Sequence, residues 1–248
     1  MSELIPVLTI DGPTASGKGT VARAVAAALG FHLLDSGAIY RAFALAVLNR
    51  KVDQLKINDL EMEAKALSLE FRDDSVWLNG ADSTELIRAE AVGMLASKLS
   101  AVPEVRAALL ARQRAFAQPP GLVGDGRDMG TVVFPDATLK IYLTTTSDVR
   151  ATRRHRQLEK HASDLSAQTQ RDSKAKRLIE KGNSSTIDSS LESFASVEEK
   201  IRQRDTQDKT RAVAPLKPAP DAIVIDNAAH GPQQTIDAVL SLWKLRSR

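Results

Sequence analysis

Residues 12–20 read Gly-Pro-Thr-Ala-Ser-Gly-Lys-Gly-Thr, directly behind the apolar run Pro6-Val7-Leu8-Thr9-Ile10. Glycine, four residues and then Gly-Lys is the spacing of a phosphate-binding loop, in which successive backbone N–H groups point inward at phosphate oxygens from the N-terminus of a helix. The position after the lysine normally supplies a hydroxyl to Mg²⁺. Here it is Gly19, with Thr20 one step later. Residues 20–29 are Ala-rich and Gly30 reads as the helix stop. A strand, a glycine-rich turn and a helix together are the context that the motif requires.

Outward from this unit, apolar strands alternate with helices at both ends of the chain. His32-Leu33-Leu34 leads into Asp35-Ser36-Gly37 and a helix from Ala38 to about Arg50. Residues 121–125 and 139–143 read as buried strands, and 222–226 as a last one before a helix over 232–246. This alternation predicts an α/β fold, a parallel sheet core covered by helices on both faces. Ligands of such sheets sit at the carboxyl ends of the strands, where Gly12, Asp35 and Asp125 fall.

Two regions interrupt the alternation. Residues 67–71 and 76–78 alternate around Asp73-Asp74 and predict a β-hairpin, followed by helices over 84–100 and 103–116, the second with Pro103 at its start. Residues 150–181 hold ten Lys/Arg against four Asp/Glu, and 183–196 are dominated by Ser and Thr. That composition buries too little apolar surface to offset its ordering entropy, so a mobile lid with a flexible excursion over 162–196 is expected.

The chain has 248 residues, enough for one large α/β domain with insertions. Its 43% hydrophobic and 26% charged content is that of a globular domain. With no cysteine there are no disulfides, thiolate metal sites or cysteine nucleophile. No apolar stretch approaches the roughly 20 residues of a transmembrane helix, and Met1-Ser2-Glu3 lacks the basic flank of a signal peptide, so a cytoplasmic protein with no membrane partner is expected. The net charge of +3 suits anionic ligands, but the basic residues are dispersed and aromatics are only 4%, which argues against nucleic acid as a partner.

The Gly17-Lys18-Gly19-Thr20 ending is similar to that of nucleoside monophosphate kinases, whose acceptor is itself a phosphate. From end to end the chain resembles the bacterial cytidylate kinase family. The match is carried by residues 9–20, by Leu34-Asp35-Ser36-Gly37-Ala38-Ile39-Tyr40-Arg41, by Pro103–Arg106 and 113–116, by the run from Asp125-Gly126-Arg127-Asp128 to Asp136, and by Arg204-Asp205 ahead of Arg211–Leu216. The departure is the lid, which is longer and richer in Ser than the family pattern.

The resemblance implies transfer of the γ-phosphoryl group of ATP to CMP or dCMP, with Mg²⁺, in a P-loop core (1–50, 115–150 and 210–248) carrying a monophosphate-binding insertion (51–114) and a lid (151–209), acting as a monomer. It implies that residues Gly12, Pro13, Thr14, Ala15, Ser16, Gly17, Lys18, Gly19 and Thr20 hold the ATP phosphates. It assigns Lys18, Arg41, Arg127, Arg211 and the lid residue Arg153 to catalysis, and Ser36, Arg41, Ser97, Arg106, Arg127, Asp128, Arg204, Asp208 and Arg211 to CMP. Asp125 would orient Mg²⁺, directly or through water. Thr20 would supply the hydroxyl that Gly19 lacks, or else cap the following helix.

The chemistry fits these residue types. An acceptor phosphate with a second pKa of about 6 is already a nucleophile at neutral pH. What remains is repulsion between two anions and their alignment, which arginine forks relieve. For the base, a carboxylate at Asp128 can accept from the cytosine amino group and Arg106 can donate to its ring acceptors, the alternative being a mutual ion pair. Arg204 and Asp208 fit the sugar-binding pair or an intrahelical ion pair, while Arg150, Arg153 and Arg154 share a helical spacing at the start of the lid. Other readings are a kinase of the same fold acting on AMP, UMP or shikimate, a GTPase-type switch, disfavoured by the lack of any Asn-Lys-X-Asp signature, and an RNA-binding protein using the basic lid.

Overall fold

The computed structural model describes residues 5–72, 75–171 and 193–246. Its center is a five-stranded sheet of β1 (Val7–Asp11), β2 (His32–Asp35), β6 (Leu122–Gly126), β7 (Leu139–Thr144) and β8 (Ile223–Asp226) in the order β2-β6-β1-β7-β8. Every pairing is parallel, with Ile10 opposite Asp125 and Asp35 opposite Asp125 from the other side. β1 and β6 are buried along their whole length, which is why both read as apolar runs rather than alternating ones.

The expected helices on both faces are present. Leu8 and Ile10 of β1 and Ile141 of β7 pack with Val21 and Val25 of α1 (Lys18–Leu29) and with Val239 and Trp243 of the last helix, α8 (Pro232–Arg246). On the opposite face Val7, Leu34 and Leu122 pack with α2 (Ser36–Asn49), α3 (Ile57–Lys65), α4 (Glu90–Leu99) and α5 (Pro103–Arg114). α1 stops where Gly30 takes the left-handed conformation, φ 66°, and its N–H reaches the last-turn carbonyls. α2 starts at Asp35, whose carboxylate accepts from the N–H of Ala38 at 2.9 Å.

The expected hairpin forms between β3 (Leu69–Arg72) and β4 (Ser75–Leu78), and a two-residue strand β5 (Ala81–Asp82) extends it to a three-stranded antiparallel sheet. The helix expected over 84–100 is broken. A 3₁₀ turn at Leu86–Arg88 ends at Ala89, whose extended backbone (φ −54°, ψ 141°) resets the chain before α4.

Contacts divide the chain into two compact units, Met1–Thr144 with Arg204–Arg248, and Thr145–Gln203. The second unit holds α6 (Ser147–Arg171) and most of α7 (Phe194–Thr210). Helical backbone therefore covers 162–171 and 194–196, the two ends of the expected flexible excursion, whose Ser, Ala and Gln residues are compatible with a helix. Residues 172–192 of that excursion lie outside the described residues.

Phe43 of α2 is fully buried in the core beneath the insertion. Phe43→Ala should cost about 3–5 kcal/mol of stability, measured as a lower urea midpoint at unchanged slope.

Candidate active site

The phosphate-binding loop is shaped by close approach of backbone to backbone. A Cβ on Gly12 would lie 2.2 Å from the carbonyl oxygen of Leu143 on β7, so only glycine lets the chain leave β1 at this point. Ala15 (φ 59°) and Gly17 (φ 88°) are both left-handed, which turns the N–H groups of the loop inward. Gly17 is the N-cap of α1 and no side chain caps that end. Thr20 is exposed one turn in, so the helix-cap alternative for its hydroxyl is excluded. Asn227, just past β8, ties the loop to the sheet: its Nδ2 donates to the Ser16 carbonyl at 2.9 Å and its N–H to Thr144 at 3.0 Å.

Lys18 is buried and donates to the carbonyl of Pro13 at 3.1 Å. Burial pulls its pKa down, helped by the Arg127 charge and opposed by Asp125, Asp35 and Asp208. Asp125, at the end of β6, is pushed up by burial; Lys18 pulls it the other way and Asp35 adds to the rise. A Cβ on Gly19 would lie 3.1 Å from Asp125 Oδ2. The missing side chain at the usual hydroxyl position thus leaves room beside a buried carboxylate, a place that fits a cation and its water. Among the described residues no group of three or more His, Asp or Glu side chains forms a metal cage, so an ion here would draw most of its oxygens from phosphates and water.

Two residues beyond Asp125, Arg127 bridges three parts of the chain. Its Nε donates to Asp208 at 2.9 Å, one terminal nitrogen to Thr14 of the loop at 2.9 Å and the other to the Gly126 carbonyl at 3.2 Å. Asp128 is gripped from two sides. Arg106 of α5 makes a short ion pair with one oxygen, and Arg211 lies 3.6 Å from the other. Arg106 is further held by the Ser100 carbonyl at 3.1 Å and lies over the Tyr40 ring. The mutual ion pair named as the alternative for Arg106 and Asp128 is therefore real, and it places both groups side by side.

Arg204, Gln207 and Asp208 on α7, with Arg211 just past its end, supply the opposite wall. Asp208 meets Arg127, Arg211 meets Asp128, and Gln207 accepts from the hydroxyl of Ser97 at 3.0 Å. Arg204 lies 3.9 Å from Glu90 at the start of α4. Ser36 is buried and donates to Gln113 at 2.7 Å. Arg153 shares the spacing of Arg150 and Arg154 on α6, in the second unit.

Three positioning residues were not legible as such in the sequence. Asp11 ends β1 and its two carboxylate oxygens accept from the N–H groups of Met129 and Gly130, each at 2.8 Å. It thereby fixes the turn directly after Arg127 and Asp128. Gly93 of α4 faces Arg41, and a Cβ there would lie 2.7–2.9 Å from the guanidinium, which donates to the Ile87 carbonyl at 2.9 Å. Asn227 is the third. Asp11 lay inside a quoted motif, but a carboxylate serving backbone N–H groups more than a hundred residues away leaves no local signature.

Gly93→Ala should push Arg41 out of its place. The expected outcome is an acceptor KM raised about tenfold or more with the ATP KM unchanged, the signature of a misplaced arginine rather than of a broken fold. Asp11 gives a pH prediction. Burial outweighs its two N–H bonds and raises its pKa from 3.8 to about 6. The native state then holds the proton more tightly than the unfolded chain, so stability from this group is full below about pH 4 and is lost as pH rises through about 6. The stability of wild type relative to Asp11→Asn, by urea denaturation, should therefore be greater at pH 4.5 than at pH 7.5.

The comparisons with known proteins agree with this geometry. A family model described as Cytidylate kinase matches residues 8–177 and 165–245. The chain is 47% identical over 239 residues to "Cytidylate kinase" of Burkholderia mallei, covering 96% of this chain and 93% of that protein. It is 48% identical over 239 residues to "Cytidylate kinase" of Bordetella bronchiseptica, covering 96% and 95%. A match of this extent, over a sheet that sets a phosphate-binding loop beside the Arg127-Asp128 turn, shows that the chain belongs to the cytidylate kinase family.

Proposed function

We propose that this protein transfers the γ-phosphoryl group of ATP to the phosphate of CMP or dCMP, releasing ADP and CDP or dCDP. What supports this reading is that the loop carrying Lys18 and the turn carrying Arg127 and Asp128 follow the adjacent parallel strands β1 and β6. The loop around Lys18 suits a triphosphate, and Arg127 joins it directly to the Asp208, Arg211, Asp128 and Arg106 cluster through its bond to Thr14. In the reaction an oxygen of the acceptor phosphate attacks the γ-phosphorus while the bond to the β–γ bridging oxygen breaks. Lys18, Arg41, Arg127 and Arg211 lower the repulsion of the two reactants and align them, with Arg153 of the lid assisting on closure. Mg²⁺ would be held by the nucleotide phosphates with Asp125, directly or through water, and would neutralize phosphate charge, with Thr20 as the further hydroxyl. Asp128 and Arg106 read the base, Ser36 and Ser97 border the nucleotide, and Arg204 and Asp208 face its sugar.

The same reading retains a core at 1–50, 115–150 and 210–248, an acceptor insertion at 51–114 and a lid at 151–209, in a cytoplasmic monomer. Support for a monomer is that the cluster from Lys18 to Arg211 comes from elements of one chain. Among the described residues no helix is long and apolar enough to cross a membrane.

The test is ADP release with ATP and Mg²⁺ across the common monophosphates. CMP and dCMP should turn over efficiently and UMP and AMP poorly. Lys18→Ala, folded by circular dichroism, should lose a factor of at least ~10² in turnover. Equal rates with all monophosphates would favor a general nucleotide kinase, and an active Lys18→Ala would overturn the phosphate-loop assignment.

A further inference from the structure

We infer that Gln207 fixes the polarity of the Ser97 hydroxyl and so helps the acceptor site choose a pyrimidine bearing an amino group over one bearing a carbonyl. The inference rests on the proposed CMP reading of this site and adds a residue and a mechanism to it.

Ser97 lies on α4 and is 7% exposed. Its hydroxyl donates to Gln207 Oε1 at 3.0 Å. A serine hydroxyl has one proton and two lone pairs, so a Ser97 committed to Gln207 keeps only acceptor capacity for anything else. Its neighbors tie it to the residues proposed to read the base. The Ser97 carbonyl accepts from Ser100 at 2.7 Å, the Ser100 carbonyl accepts from Arg106 at 3.1 Å, and Arg106 grips Asp128. Gln207 belongs to the same wall, because Asp208 of the same helix meets Arg127, and Arg211, just past the helix end, lies 3.6 Å from Asp128.

The consequence is chemical. At its 4-position cytosine presents N–H donors and uracil presents a carbonyl acceptor. An oxygen with only lone pairs left, linked to the Asp128 carboxylate through Ser100 and Arg106, would present with it only acceptors to the amino group. Facing uracil, the same groups set acceptor against acceptor and leave both unpaired, which is costly in a buried site. Were the Ser97 proton free to rotate, the hydroxyl could serve either base. Gln207 removes that freedom, acting through Ser97 rather than on substrate.

The experiment compares kcat/KM for CMP and UMP at saturating ATP and Mg²⁺ in the full chain, for wild type, Gln207→Met, Gln207→Glu and each of these changes combined with Ser97→Ala. Gln207→Met, close in size but unable to accept well, should lower the CMP-to-UMP ratio about tenfold, one hydrogen bond's worth of discrimination, with the ATP KM unchanged. Gln207→Glu, an acceptor only, should keep the ratio within about twofold of wild type, because it holds the hydroxyl in the same sense. In the Ser97→Ala background Gln207→Met should change the ratio no further. A wild-type ratio in Gln207→Met, an equal loss in Gln207→Glu, or an undiminished effect without the Ser97 hydroxyl would each overturn the inference while the CMP reading stood. A wild-type enzyme with no preference for CMP over UMP would instead overturn the acceptor reading, and this inference with it.

Discussion

The bond pair from the Asp11 carboxylate to the N–H groups of Met129 and Gly130 holds the site together. β1 and β6 lie side by side in parallel, so the chain leaves both at the same edge of the sheet. After β1 it forms the glycine-rich loop, and after β6 it carries Arg127 and Asp128. Two independent turns at adjacent strand ends would drift relative to each other. Asp11, the last residue of the first strand, pins the turn that follows the second. Every distance between the phosphate loop and the acceptor cluster then inherits the rigidity of the central sheet, which is where positioning chemistry places the greatest demand.

Charge is the second constraint. Lys18, Arg41, Arg106, Arg127 and Arg211 are gathered in the one compact unit that holds the central sheet, and each is held by acceptors of the protein itself. Lys18 rests on a carbonyl of its own loop, Arg41 on the Ile87 carbonyl, Arg127 on Asp208, and Arg106 and Arg211 on Asp128. Buried charges without such partners would be strongly destabilizing. With them, the cations are held in defined positions rather than left as loose side chains that a ligand would have to order. The downward shift of Lys18 and the upward shift of Asp125 share the same first cause, burial, which penalizes the charged form of each, and each group's charge partly offsets the shift of the other.

Much of this was legible in the sequence, and what was not has a common cause. The loop at 12–20, the strands and the helices of both faces were readable because fully buried strands give apolar runs and helix ends carry local signals, as Asp35 and Gly30 do. The turn at Arg127-Asp128, the α7 residues Arg204 and Asp208, and Arg211 just past that helix were readable through family resemblance. The break at Ala89, strand β5 and helix α3, whose start at Lys56 has no side-chain cap, carry no local signal. Asp11, Gly93, Asn227 and Gln207 act on partners distant in sequence, so only the fold reveals them. Arg204 and Asp208 illustrate the limit of spacing arguments. Their separation suggested an intrahelical pair, yet Asp208 is bonded to Arg127 and Arg204 lies beside Glu90, since contacts across the fold govern which neighbor a charge on a helix face meets.

If one cluster of arginines receives the acceptor phosphate, a crystal structure of the CMP complex will show it. The CMP phosphate should lie among Arg41, Arg127 and Arg211, with at least two of these guanidinium groups turned from their present protein partners to its oxygens, and the cytosine amino group should lie against Asp128 and Ser97. A complex in which Arg127, Arg211 and Arg41 keep Asp208, Asp128 and Ile87 as partners while CMP binds elsewhere would contradict this.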